Sequence, residues 1–204
     1  MFRIATLVLV AVVGLALVAV PTTAAPIAVG TKAPDFKGLE AADGKTYSLA
    51  DFKDKDVLIV CITCNHCPMA IAYEDRIIEF AKKNAGKDAK AALIAINVNP
   101  GEEDGLPKMK ERAKDKGFNF AYAIDPSQKI ARQLGATRTP EFFVFNKERK
   151  LVYTGALDDD AKPENVTKKY VEDAVKAALK GETPTVQTSV PRGCGIQFQK
   201  STEK

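Results

Sequence analysis

The chain has 204 residues, of which 30 are Lys or Arg and 26 are Asp or Glu, giving a formal net charge of +4 with the two signs interleaved. No dense basic stripe is present, so a nucleic-acid partner has no electrostatic support. The one histidine, His66, excludes any mechanism that needs two imidazoles. The chain is long enough to bury a core unaided, which leaves its four cysteines for chemistry.

Residues 1–25 read as an export signal. Met1-Phe2-Arg3 supplies a positive start, 4–20 are almost wholly apolar, and 21–25 offer small residues for cleavage, preferably after Ala24. The alternative is an uncleaved anchor over 4–20, at the lower edge of a bilayer span. Either reading puts a single domain, 26–181, and a C-terminal tail, 182–204, in the periplasm or outside the cell, where disulfides persist. Membrane contact is expected only if the N-terminal segment stays uncleaved.

Residues 33–54 predict an N-terminal β-hairpin region turned at Asp43-Gly44. The β-branched run over 57–63 predicts a buried strand, and the spacing of Ile71, Ile77, Ile78 and Ala81 predicts a helix over 67–84, with Pro68 in its first turn. A second buried strand follows at 91–98, then a polar surface loop, 101–105, whose acidic run Glu102-Glu103-Asp104 reads as solvated charge. The remaining elements are a charged helix at 107–116, a strand at 118–124, a short helix at 127–134 closed by Gly135, strands at 141–145 and 150–154, and a last helix at 165–180 ended by Gly181. Strands alternating with helices predict an α/β fold: a central mixed β-sheet flanked by helices, parallel in part, with an antiparallel edge from the closing hairpin.

Cys64-Asn65-His66-Cys67 places two thiols three residues apart where a strand hands over to a helix. The unpaired amides and positive dipole end of a helix N-terminus favour an anion, and a thiolate is what attacks a disulfide or a peroxide. The same spacing serves metal sites. Cys61-x-x-Cys64-x-His66-Cys67 is a soft cluster suited to copper(I) or zinc, although Cys61, inside an apolar strand, reads as a small buried hydrophobe. A zinc ribbon would have only Cys61, His66 and distant Cys194 for its second ligand pair; a copper(I) or zinc binding module stays an alternative to redox chemistry, and no cofactor is expected. Residues 182–193 can extend ~40 Å, enough to bring Cys194 to the cysteine pair as a resolving or regulatory thiol. Otherwise Cys194 is pinned in a docked tail or paired with Cys61. Pro140, ahead of the 141–145 strand, is tolerable there as either peptide isomer.

The strand, the Cys-x-x-Cys helix, Thr139-Pro140 and the closing hairpin resemble the thioredoxin-like fold, which implies a cis Pro140 facing the cysteines. Four stretches resemble the peroxiredoxin-like redoxins of the alkyl hydroperoxide reductase and thiol-specific antioxidant family: Cys64-Asn65-His66-Cys67-Pro68, Ala72-Tyr73-Glu74-Asp75-Arg76-Ile77-Ile78, Thr139-Pro140-Glu141-Phe142-Phe143 and Gly193-Cys194-Gly195-Ile196. The resemblance covers about residues 29–198. It implies a thiol-disulfide oxidoreductase acting on protein or small-molecule thiols and disulfides, with a redox partner protein. Cys64, as the first and usually exposed cysteine of such a pair, would attack, Cys67 would resolve, and the two would form a reversible disulfide. His66 would stabilise the thiolate, or else be a solvated loop residue. Thr139 and Pro140 would shape the substrate edge, and Cys194 would be a third thiol. The resemblance also implies a rival, a peroxidase using Cys67. Here, however, Cys64 replaces the family's preceding threonine, and Arg138 lies out of register for its activating arginine, which weakens peroxide polarisation.

Overall fold

The computed structural model describes residues 26–200, so the expected export signal or anchor lies outside the described residues. Five strands form one mixed sheet: β3 (Val57–Thr63), β4 (Ala91–Asn97), β5 (Ala121–Ile124), β7 (Glu141–Phe145) and β8 (Leu151–Gly155), in the spatial order β5-β4-β3-β7-β8. β3 runs parallel to β4, and β4 to β5; β7 is antiparallel to both β3 and β8. The expected α/β architecture, a parallel portion with an antiparallel closing hairpin, is present.

The two-residue period of the strands decides what covers each face. Val57, Ile59 and Cys61 of β3 point to one side, with Phe142, Val144 and Tyr153, where α1 (Pro68–Asn84), α2 (Leu106–Lys116) and α4 (Tyr170–Lys180) pack through Tyr73, Ile77, Met109, Val171 and Val175. Leu58, Val60 and Ile62 point to the other, with Phe143 and Phe145, and meet α3 (Lys129–Leu134) through Ile130 and Leu134, as well as Phe36 and Phe52 from the N-terminal region. Every residue of β3 is buried, which is why its sequence is continuously apolar rather than alternating.

The N-terminal hairpin is small. β1 (Leu39–Glu40) pairs with β2 (Thr46–Tyr47) across the Asp43-Gly44 turn, where Gly44 takes a φ of 82°, and a bridge from Ala41 to Ala123 seats it on the β5 edge. The chain then enters a 3-10 turn, Leu49–Phe52. Two expected boundaries move for local reasons. Gly117 ends α2 in the left-handed region, so the strand expected from 118 starts at Ala121, and Phe118 and Phe120 stack on each other at 4.9 Å instead. The last helix, expected from 165, starts at Tyr170, because Asp159 accepts the backbone N–H groups of Thr167 at 2.9 Å and Lys168 at 3.0 Å and holds that stretch as a loop. Among the described residues, no helix is long and apolar enough to cross a membrane.

Candidate active site

β3 ends at Thr63, and α1 begins with Cys67 as its N-cap and Pro68 as its first residue, so Cys64, Asn65 and His66 form the connection. Facing it is a second pair of short strands, β6 (Arg138–Thr139) and β9 (Cys194–Gly195), antiparallel, with Thr139 opposite Cys194. The Thr139–Pro140 peptide is cis. Glu141, buried, accepts the N–H groups of Thr137 at 2.8 Å and Arg138 at 3.1 Å and so fixes the approach to that peptide. Burial pushes the Glu141 carboxyl upward, with those N–H donors opposing.

Three of the four thiols meet at Thr139. Cys67 is bonded to Cys194 across a sequence separation of 127, with Cα atoms 6.1 Å apart, and its sulfur lies 3.4 Å from the Thr139 carbonyl. Cys64 Sγ sits 3.2 Å from Thr139 Oγ1. Cys64, Cys67 and Ala70 form one small buried cluster against which Met69 and Cys194 pack. The structure therefore brings together Cys64, Cys67, Thr139, Pro140 and Cys194, but joins Cys67 to the tail cysteine rather than to Cys64. Nor is Cys64 the exposed member of the pair: its relative exposure is 2 %, against 0 % for Cys67.

The tail is what closes the site, and it is held at several points between Gln187 and Gln199. The N–H of Thr154 donates to Gln187 O at 3.0 Å, and that of Ser189 returns to Thr154 O at 3.0 Å. Arg138 Nη1 donates to Gly193 O at 2.9 Å, and Ile196 N–H to Thr137 O at 3.0 Å. Beyond the disulfide, Gln197 N–H donates to Asn99 Oδ1 at 3.3 Å, Gln128 holds Gln197 and Gln199, and the Arg132 guanidinium stacks over Phe198. Gly193 is required by packing: a Cβ there would stand 2.1 Å from Thr139 O.

Burial raises the Cys64 thiol above its ordinary value. The Thr139 hydroxyl, the Cys67 backbone N–H and the Asn99 side chain pull the other way, and the Asp104 carboxylate adds to the rise. Cys61, fully buried within β3, is a core residue whose thiol is pushed far up by desolvation.

The polar loop contains the residue that sequence reasoning missed. Glu102 and Glu103 are exposed, but Asp104 is 2 % exposed, folded under the Cys64–Cys67 connection. Its Oδ1 accepts the Asn65 N–H at 2.6 Å and Asn97 Nδ2 at 3.1 Å, and its Oδ2 meets His66 Nδ1. Tyr122 donates to Asn65 Oδ1 at 2.7 Å and completes the support beneath the loop. A buried carboxylate has to be satisfied, and the unpaired Asn65 amide at a turn before a helix was the one sequence-level hint of an acceptor. Arg138, spent on Gly193 O, and Arg112, held by Glu74, leave no arginine side chain bonded at Cys67 among the described residues.

A mixed sheet with a Cys-x-x-Cys helix at the end of its central strand, opposite a cis-proline, defines the thioredoxin-like class of redox proteins. The Redoxin family profile matches residues 28–173, and the chain belongs to that family. It is similar to the crystal structure of a hypothetical protein from Sinorhizobium meliloti 1021, at 36% identity and a TM-score of 0.78, covering 87% of this chain and 98% of that one. An uncharacterized conserved protein from Geobacillus kaustophilus is similar at 31% identity and a TM-score of 0.76, over 86% and 94% of the two chains. The fold extends to a thiol:disulfide interchange protein of the thioredoxin family from Chlorobium tepidum TLS, at 23% identity and a TM-score of 0.57, over 75% and 99%. No curated protein is similar to the chain. Family and fold together support oxidoreductase activity.

Proposed function

We propose that the chain is an exported thiol-disulfide oxidoreductase of the periplasm or extracellular space, in which Cys64 attacks, Cys67 resolves and Cys194 holds the resting oxidised state. The observation that carries this reading is a free thiol, Cys64, packed in one buried cluster with the Cys67–Cys194 disulfide. Attack of the Cys64 thiolate on Cys67 Sγ forms a Cys64–Cys67 bond and releases Cys194 as a thiolate, with no net oxidation. A substrate dithiol then attacks Cys64, displaces Cys67 and closes its own disulfide, leaving Cys64 and Cys67 reduced; the reverse sequence reduces a substrate disulfide. Burial keeps the Cys64 thiolate fraction small at neutral pH and so holds the first exchange in check. The test is trapping. Cys67→Ser should accumulate mixed disulfides through Cys64, and Cys64→Ser should abolish turnover of a dithiol substrate. Undiminished turnover by Cys64→Ser rejects the assignment. Cell fractionation with and without residues 4–20 tests export.

A second reading, thiol peroxidase, is favoured by one observation: condensation of a Cys67 sulfenic acid with the Cys194 thiol, losing water, would make the same disulfide. Against it, the arginines nearest in sequence to the cis-proline and on α2 are engaged elsewhere. Stopped-flow oxidation of the reduced protein by hydrogen peroxide separates the two. A second-order constant of roughly 10⁶ M⁻¹s⁻¹ or above would place peroxide first.

A further inference from the structure

We propose that Cys64, His66 and Asp104 form a binding site for a zinc-type divalent cation, with three protein ligands and one position left open. The cluster differs from the one read in the sequence, where Cys61 and Cys67 were candidates. Cys61 is locked in the core, Cys67 is consumed by its bond to Cys194, and Asp104, from a loop 40 residues on, takes their place.

One sulfur, one imidazole nitrogen and one carboxylate oxygen lie within 4.8 Å of one another. The mixed donor set is too hard for copper(I), which takes sulfur pairs, and too soft for magnesium or calcium, which take oxygen shells; it suits zinc. The ligand atoms of a tetrahedral zinc stand about 3.3–3.7 Å apart, a separation the three donor atoms, all within 4.8 Å of one another, can take up by a small movement of His66. His66 is on a connection with its side chain 37 % exposed, which gives that movement room and gives the ion a way in.

The surroundings are already those of a ligand shell. Asp104 is oriented by the Asn65 N–H and Asn97 Nδ2 on one oxygen, leaving the other turned to His66, which is how outer hydrogen bonds aim a metal-binding carboxylate. Asp104 has no lysine or arginine partner among the described residues; the one basic side chain at it is His66. Asn99, also buried, has an Nδ2 with no hydrogen-bond partner. A divalent ion would hold the thiolate and carboxylate together and cap the Cys64 sulfur, so metal occupancy and disulfide exchange at Cys64 exclude each other.

The test uses the oxidised, metal-free chain, with the Cys67–Cys194 bond confirmed by mass spectrometry, titrated with Co²⁺ and then Zn²⁺. We expect one equivalent of Co²⁺, a sulfur-to-cobalt charge-transfer band, visible absorption of a four-coordinate ion, and displacement by Zn²⁺ with slowed alkylation of Cys64. Cys64→Ser should lose the charge-transfer band, and His66→Ala and Asp104→Asn should each weaken binding at least about tenfold. Asp104→Asn disturbs supporting hydrogen bonds, so His66→Ala, on the exposed side of the loop, decides if that variant misfolds. No cobalt binding, binding without a thiolate band, or binding unchanged in His66→Ala overturns the proposal, whether or not the exchange activity is found.

Discussion

Breaking the tail disulfide should cost the chain several kilocalories per mole, and the size of that loss tells which cysteines are paired. The Cys67–Cys194 bond closes a loop with a sequence separation of 127. Loop-closure entropy for such a loop amounts to about 5 kcal/mol at 25 °C, and disulfides usually deliver 2–4 kcal/mol of what that model gives. A Cys64–Cys67 bond, the pairing expected from the sequence, would close only a turn's worth of chain and constrain the unfolded state far less. Guanidinium melts of the oxidised protein, the dithiothreitol-reduced protein and the Cys194→Ser variant give the comparison. Reduction and Cys194→Ser should each lower stability by about 2–5 kcal/mol, or the melting temperature by roughly 5–15 °C for a chain of this size. Cys64→Ser, which keeps the long loop, should stay within about 1 kcal/mol of wild type. If reduction leaves the midpoint where it was, the long loop is not closed in the resting protein. The tail's hydrogen bonds would then be its whole attachment.

Gly193→Ala sets a methyl group against the Thr139 carbonyl at 2.1 Å, so β9 must withdraw. At about 1–3 kcal/mol of overpacking, the couple should become roughly 20–60 mV more oxidising in a glutathione redox titration, and an unmoved potential counts against the fit. Arg112→Ala should cost about 3 kcal/mol in urea denaturation, because Glu74 is 6 % exposed and its remaining partner, Lys116, stands 3.9 Å away. Adding Glu74→Gln should recover part of that loss; a cost under about 0.5 kcal/mol would show the pair to be ornamental. For Cys64 the sign follows from burial. Its folded pKa lies above the ordinary thiol value, so the stability held by the protonated thiol is fully present below that ordinary value and is lost as pH rises through the folded one. Alkylation of Cys64 in the metal-free oxidised chain should therefore have its midpoint above that of an ordinary thiol, and wild type should lose stability relative to Cys64→Ser as pH rises through it. A midpoint near neutrality would mean an activated thiolate.

Most of the fold was legible because the sheet is buried on both faces: β3 as far as Ile62 and β4 as far as Ile96 had to be apolar, and helices with one wet face had to fall between strands. What escaped was set by single contacts at a distance. The start of α4 depends on Asp159 claiming two backbone amides that a periodic pattern would have put in a helix. β6 and β9 are two residues each, too short to carry any period, and exist because the tail is laid against Thr139. Chain length could say that Cys194 reaches the site, but not that it pairs with Cys67. At the site itself, the cysteine pair and Thr139-Pro140 were visible as types and spacings. Asp104 was not, because an acid in an acidic run looks solvated until the Asn65 amide is seen to need it.

Thr139 explains why storage of the disulfide and concealment of the thiol are one structural fact. Its hydroxyl meets Cys64, its carbonyl meets Cys67 and leaves no room for a side chain at position 193, and its backbone pairs with Cys194. A tail strand drawn onto that edge necessarily delivers Cys194 to Cys67, and in doing so packs against the cluster that holds Cys64. The desolvation that raises the Cys64 thiol is thus tied to the same docking that supplies the disulfide it would attack. On the proposed function, exchange at this site would be governed by how firmly residues 193–199 stay on Thr137, Thr139 and Gln128, and less by the intrinsic acidity of a thiol at a helix N-terminus.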